Sequence, residues 1–361
     1  MPSSSLIRDA QAAPLDIPLH VPFGISGGAQ PAANNVLFTV ELEDGTRGYG
    51  EAAPLPPYNG ETQADALAAL HEAGPRLRGR NASEWAQLGA EASRLAAVRS
   101  GSARCALEMA VLDAWTRQRG IPLWKFFGGA GSLLETDMTV TTGTPGEAAA
   151  SARAIRARGI RMIKVKVGGA AGPAHDLLRV RAIAEAAPDA PLILDGNAGV
   201  SRAAASELVR GLRAAGITPA LLEQWLAKDD LAGMRALRIE SGWRVAADES
   251  VTTKEDAGRV AAAEAADVVN IKLMKSGIAA ALEIVEVART RGLGLMIGGN
   301  VESILAMTVS ACFAAGLGGF TFADLDTPLF LATNPFTGGY ALSGGEISMG
   351  HIVAGHGVTP A

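Results

Sequence analysis

The chain has 361 residues, 48% of them hydrophobic and 19% charged, with a formal net charge of -5, which is enough apolar material for more than one domain-sized core. The acidic balance and the lack of any Lys/Arg run leave no electrostatic footprint for nucleic acid. Two cysteines, Cys105 and Cys312, are too few for a disulfide scaffold or a thiolate zinc site, and five histidines that never recur at ligand spacing give little footing to His-zinc or Ser-His chemistry.

The N-terminal stretch MPSSSLIRDAQAAPLDIPL is interrupted by Asp9, Gln11 and Asp16, so it lacks the apolar core of a signal peptide and a cytoplasmic protein is expected. A loop, HVPFGISGGAQPAANN, is expected over 20–35. NVLFTVEL (35–42) and TRGYGEA (46–52) read as two strands of a hairpin that turns at Glu43-Asp44-Gly45. Helical patterns follow over 61–73, 82–98 and 103–119, the last stopped by Gly120-Ile121-Pro122. Residues 1–130 therefore read as an α+β unit.

Eight apolar segments then recur at intervals of about 22 to 29 residues: TDMTVTTG (136–143), RMIKVKVG (161–168), APLILDGN (190–197), PALLEQWL (219–226), RVAADES (244–250), ADVVNIKL (266–273), LGLMIGGN (293–300) and GFTFADLD (319–326). Strand, Ala/Arg/Glu-rich helix and strand again, repeated in this way, predict a (β/α)7-8 barrel of the TIM type over 131–326, with the N-terminal unit as its cap. The active site of such a barrel lies at the carboxyl ends of its strands. Residues 304–322 carry no charge and match a membrane span in length, but Thr308, Ser310 and the GLGG break at 316–319 fit a buried barrel helix and the last strand. No membrane span is expected. Residues 327–361, rich in glycine, are too short for a domain and are expected to return to the capping unit and complete it.

The strand ends carry the chemistry. Lys164 and Lys166 stand two apart and project from one face of a strand, where mutual repulsion is expected to depress a lysine pKa toward the range of a general base. Asp195, Glu223 and Asp248 end the third, fourth and fifth strands. Three carboxylates gathered there need a cation, and an all-oxygen donor set favours Mg²⁺. Lys272 ends the sixth strand, across the barrel from the second, so Lys166 and Lys272 would reach a bound molecule from opposite sides. A metal on a substrate carboxylate, with lysines flanking the adjacent carbon, describes proton abstraction through an enediolate. Asp324 and Asp326, again two apart, end the eighth strand and would suit a substrate ammonium. The bland alternative at each acid is a helix or turn cap.

The motifs KVKVG (164–168), DGN (195–197), LLEQ (221–224), ADES (247–250), NIKLMKSGI (270–278) and VES (301–303), with PLHVPF (18–23), GYGEAAP (48–54) and ALEMAVLDAW (106–115), resemble the muconate-lactonizing subgroup of the enolase superfamily. A Lys base with Mg²⁺ stabilising an enediolate is that superfamily's general pattern. The resemblance implies Asp195, Glu223 and Asp248 as metal ligands, Lys166 and Lys272 as the acid/base pair, and Lys164 as a partner of the substrate carboxylate. It makes Asn197, Glu249 and Glu302 supporting groups. An Asp-x-Asp at the end of strand eight is similar to that of dipeptide epimerases, which implies a dipeptide substrate and Mg²⁺, with Mn²⁺ as a substitute. The Ala-Glu epimerases it resembles place a cation in the capping-unit loop, yet residues 20–35 contain no Arg or Lys, so a small or apolar second residue is implied. Trp225 stands where the family usually has Pro and reads as a packing residue. Phe23, Ile25 and Tyr58 are the expected specificity lid. An N-acylamino acid racemase, an o-succinylbenzoate synthase or a muconate cycloisomerase would share the lysines and metal but have no use for the aspartate pair. A non-catalytic binding barrel would need neither both lysines nor the metal set. A homo-oligomer is left open.

Overall fold

A computed structural model describes residues 4–25, 28–95 and 101–361, the side chains of residues 23, 25, 28 and 29 excepted. The chain opens with an antiparallel sheet of β1 (Ile7–Ile25), β2 (Gly28–Leu42) and β3 (Arg47–Ala52), in that order. The loop expected over 20–35 is instead the far half of the β1–β2 ribbon, in which Phe23 pairs with Gln30 and Ile25 with Gly28. Pro14, Pro18 and Pro22 hide this strand from a propensity reading. They are tolerated because β1 is an edge strand of its sheet, whose outer side meets other segments only at isolated bridges, such as Leu19 with Leu331.

Helix α1 (Gln63–Leu77) starts at Thr62, whose hydroxyl and the Asp65 carboxylate form a capping box. Helix α2 (Trp85–Ala92) follows a 3₁₀ turn and ends before the expected boundary at 98; residues 96–100 lie outside those described. Helix α3 (Gly101–Gln118) is buried on nearly every side and lies flat on β3. Gly48 and Gly50 make that contact possible, because a Cβ at Gly50 would meet the Ala106 carbonyl oxygen at 2.0 Å.

After β4 (Leu133–Glu135) come eight parallel strands in sequential order. They are β5 (Met138–Val140), β6 (Ile163–Lys166), β7 (Leu192–Asp195), β8 (Leu221–Glu223), β9 (Val245–Ala247), β10 (Val268–Lys272), β11 (Gly294–Gly298) and β12 (Phe320–Ala323). Helices α4 (Pro145–Ala157), α5 (Pro173–Ala186), α6 (Arg202–Ala214), α7 (Leu231–Ser241), α8 (Lys254–Ala262), α9 (Ile278–Thr290) and α10 (Ile304–Leu317) fill the seven crossovers. After β12 only a 3₁₀ turn, Thr327–Leu329, follows in place of an eighth helix. The first and last strands meet at a polar seam: the Asp137 amide donates to the Ala323 carbonyl (2.9 Å), the Thr139 amide to Asp326 Oδ2 (2.7 Å) and the Leu325 amide to Thr136 Oγ1 (2.9 Å). The uncharged stretch from 304 is α10, followed by β12. No helix among the described residues is long and apolar enough to cross a membrane.

Two buried carboxylates of the N-terminal unit enter the amino ends of barrel helices. Glu51, at the end of β3, accepts from the Ser303 and Ala306 amides and the Ser303 hydroxyl ahead of α10. Glu108, on α3, accepts from the Ile278 and Ala279 amides of α9. Both satisfy amides that a helix start leaves without partners, where negative charge is favoured. The last 35 residues form β13 (Phe336–Gly338), β14 (Ala341–Ser343), β15 (Glu346–Ser348) and β16 (Val358–Pro360). β15 pairs with β4, while the His356 amide and ring reach Asp113 of α3 at 2.9 and 3.0 Å.

Candidate active site

Ile193, Leu221, Ala246, Val268, Met296 and Phe322, one from each of six adjacent strands, form an apolar cluster that plugs the barrel, with Met162 packed against it. In a strand, side chains two residues apart point the same way. One step past this layer the same inward face presents Lys164, Asp195, Glu223, Asp248, Asn270 and Asp324, and one step further Lys166, Lys272 and Asp326. The polar groups thus stand above a dry floor at the carboxyl ends of the strands, with Lys166 level with Asp195 and Asp195 level with Glu223 in the ladder.

Each of the three strand-end carboxylates is held by one oxygen and offers the other. Asp195 Oδ1 accepts from the Asn197 amide (2.9 Å), Glu223 Oε1 from Asn270 Nδ2 (2.8 Å) and Asp248 Oδ1 from Lys275 Nζ (2.8 Å). The opposite oxygens face ammonium groups. Lys164 Nζ lies 2.9 Å from both Asp195 Oδ2 and Glu223 Oε2 and 2.6 Å from Asp324 Oδ2; Lys166 Nζ lies 2.7 Å from Asp195 Oδ2, and Lys272 Nζ 2.7 Å from Asp248 Oδ2. Glu223 Oε2 and Asp248 Oδ2 have these close cations without the alignment of a hydrogen bond. Lys164, Lys166, Asp195, Glu223, Asp248, Asn270, Lys272 and Asp324 are almost fully buried.

The expectation that Lys164 and Lys166 depress one another is corrected for Lys164. Burial alone would push its pKa down, but Asp195, Asp324 and Glu223 outweigh burial and neighbouring lysine, and hold it well above the usual lysine range. Lys272 is likewise raised, with burial opposed chiefly by Asp248. Among the acids, burial and the nearby Asp195 charge push Glu223 up to about 7. Asp195 and Asp248 are held low because the lysines overcome their burial. Glu249, buried beside Asp248 and Asp195, is pushed up to about 8, and its Oε1 lies 3.4 Å from Asn197 Nδ2. Glu302, pushed by burial to about 8, accepts from the Asn300 amide at 2.7 Å.

The carboxylates Asp137, Asp195, Glu223, Asp248, Glu249, Asp324 and Asp326 outnumber the ammonium groups of Lys164, Lys166, Lys272 and Lys275. Buried negative charge in excess calls for protons or a cation. Asp195 Oδ2, Glu223 Oε2 and Asp248 Oδ2 form an all-oxygen set that could hold a hard divalent ion; the residues present fit Mg²⁺.

At the eighth strand, Asp324 is held below the usual range because Lys164 and Lys166 outweigh its burial, whereas burial and Asp324 push Asp326 up to about 7. Asp326 Oδ2 is bound at the seam and its Oδ1 has no hydrogen-bond partner among the described residues. Above the lysines, the Tyr58 ring covers Lys272 Nζ at 5.3 Å from its centroid. The side chains of Phe23 and Ile25, expected in the lid, lie outside the described residues. Trp225 is fully buried and donates its indole N–H to the Leu194 carbonyl (2.9 Å) beneath the site.

Four residues of the site escaped the sequence reading. Asn270 and Lys275 fix Glu223 and Asp248; Asn270 is two residues before Lys272, so the rule that places Lys272 would also have found it. Gln224, at φ 36, turns its side chain under the next strand and accepts from the Asp248 amide at 2.9 Å. No sequence signal marks that conformation for a Gln. Asp137 was visible as an acid at the start of an apolar segment.

The N-terminal domain model of mandelate racemase / muconate lactonizing enzyme matches residues 7–128, and the enolase C-terminal domain-like model matches 147–361. The chain is 50% identical over 358 residues to an aromatic dipeptide epimerase of Herpetosiphon aurantiacus, covering 99% of each. A mandelate racemase/muconate lactonizing enzyme from Roseiflexus superposes with a TM-score of 0.94 at 54% identity, covering 100% of this chain and 99% of that one. A dipeptide epimerase from Enterococcus faecalis, complexed with Mg and L-Leu-L-Tyr, superposes with a TM-score of 0.93 at 30% identity, covering 98% and 99%.

Proposed function

The chain belongs to the mandelate racemase / muconate lactonizing family of the enolase superfamily, and from that premise we propose that it is a Mg²⁺-dependent dipeptide epimerase. It inverts the α-carbon next to the C-terminal carboxylate by two-base proton transfer. The observation that carries this reading is the pairing of two oppositely charged poles in one buried site: Lys164, Lys166 and Lys272 with the strand-end carboxylates, and Asp326 with its unpartnered oxygen beside Asp324. A zwitterion longer than one amino acid meets both.

In this reading Asp195, Glu223 and Asp248 would hold the ion, which when bound would supply Lewis-acid charge for the substrate carboxylate. Lys164 shares the contact with that carboxylate. Lys166 removes the α-proton from one side and Lys272 returns one from the other, the roles exchanging with the epimer bound. Asn197, Glu249 and Glu302 support the ring of charge around them, and Tyr58 limits the motion of Lys272. Phe23 and Ile25 belong to the proposed lid. The division into a capping unit (1–130), a barrel (131–326) and a returning tail (327–361) is part of the same reading, supported by the tail's contacts with α3. So are Mn²⁺ as a substitute ion, favoured by an all-oxygen set, and a cytoplasmic location.

An apolar or aromatic second residue is preferred, because residues 20–35 provide no cation for an acidic one. The name of the Herpetosiphon relative and the L-Leu-L-Tyr bound to the Enterococcus one point the same way. Incubation with Mg²⁺ and a dipeptide library in deuterated water tests the proposal. Apolar dipeptides should gain one mass unit and epimerise; exchange confined to N-acylated amino acids would replace it with an N-acylamino acid racemase.

A further inference from the structure

Asp137, at the amino end of the first barrel strand, is fully buried, and neither of its carboxylate oxygens has a hydrogen-bond partner among the described residues. Left so, such a group is costly. One oxygen each of Asp137, Asp324 and Asp326 lies within 4.8 Å of the other two. Of the three, Asp324 pairs with Lys164, while Asp326 Oδ1 is unpartnered like the Asp137 oxygens. A point equidistant from three oxygens that lie no more than 4.8 Å apart is at most roughly 2.8 Å from each, within reach of charge-assisted N–H···O bonds. A primary ammonium, with three N–H donors, matches the number of acceptors.

Resting on the dipeptide reading, we infer that Asp137 is the third acceptor of the ammonium subsite, so that each N–H of a primary α-ammonium meets one of Asp137, Asp324 and Asp326. The subsite then counts donors as well as charge. A secondary ammonium, as in an N-methylated dipeptide, keeps its charge and loses one donor, leaving a buried carboxylate without a partner.

The test compares kcat/KM for L-Ala-L-Phe, its N-methyl and its N,N-dimethyl derivatives with the Mg²⁺-loaded wild-type enzyme and with Asp137→Asn. For the wild type each lost N–H should lower kcat/KM by about 10-fold to about 100-fold. In Asp137→Asn the loss on L-Ala-L-Phe should be of that size while the N-methyl derivative changes by less than about threefold, collapsing the ratio between them. Equal loss on both substrates would mean that Asp137 acts only through the fold or the overall field, and would overturn the inference. So would a wild type that treats the three substrates alike, a comparison that needs no variant to fold. Wild-type turnover of any dipeptide keeps the proposed function standing whichever way the ratio falls; no exchange with any dipeptide removes both.

Discussion

Replacing Glu51 by Ala should loosen the junction between the capping unit and the barrel by an amount that can be estimated. The side chain is fully buried and accepts from the Ser303 amide at 3.0 Å, the Ala306 amide at 3.2 Å, the Ser303 hydroxyl at 2.5 Å and Asn35 Nδ2 at 2.6 Å. Asn35 keeps a second acceptor, the Val301 carbonyl. The two amides keep none, and each buried donor left without a partner costs about 1–3 kcal/mol. Burial pushes the Glu51 carboxyl above its ordinary range, so the native arrangement already carries a desolvation cost that the substitution removes. The net loss should therefore fall in the lower half of the range, about 2–4 kcal/mol. For a chain of this length the unfolding entropy is roughly 0.76 kcal/mol/K, so Tm should drop by about 3–5 °C. Glu51→Gln keeps the shape and one acceptor oxygen and should lose about half as much. Thermal unfolding followed by circular dichroism at fixed pH and Mg²⁺ provides the measurement. A drop of less than about 1 °C in Glu51→Ala would mean that the helix end is satisfied by water and that the carboxylate does not hold the two units together.

The two lysines should separate by face: Lys166→Ala should lower epimerisation by about 10²–10⁴-fold yet leave α-deuterium exchange of one epimer, with the converse for Lys272→Ala. Equal exchange of both epimers in either variant would contradict the two-sided arrangement. Asp195→Asn should weaken Mg²⁺ binding in calorimetry by more than the roughly 10–100-fold that losing an outer partner costs, with the circular dichroism spectrum unchanged; wild-type affinity would remove Asp195 from the ligand set. Glu302 has a folded-state pKa of about 8, above its ordinary value of 4.5, so the stability tied to it is fully present below about 4.5 and is lost as pH rises from there through about 8. The Tm of the wild type should consequently fall relative to Glu302→Gln between about pH 5 and 8, and a flat difference would show that burial does not hold the proton there.

Much of the site was legible because one rule places it: in the barrel strands, a residue two or four positions after an inward apolar one stands above the floor. Asp195, Glu223, Asp248 and Lys272 each satisfy that rule within their own segment. The charge state of Lys164 was not legible, since its partners arrive from three other strands and local spacing shows only its like-charged neighbour. β1 was missed because three prolines mask a strand whose edge position makes them harmless. Gln224 was missed because a positive φ at a non-glycine residue is set by tertiary contacts, here the amides of Asp248 and Ser250.

The seam between the first and last barrel strands limits how this scaffold can evolve. Asp326 gives one oxygen to the Thr139 amide, part of the barrel's closure, keeps the other without a hydrogen-bond partner among the described residues, and has an oxygen within 4.8 Å of Asp324 and Asp137. A lineage drifting toward uncharged substrates cannot simply discard that carboxylate, because the same substitution would unpin the edge on which the cylinder closes. Under the proposed assignment of the capping-unit ribbon to the side chain and of the seam aspartates to the end group, neighbouring lineages should diverge first in which side chain they accept and last in which end group they require.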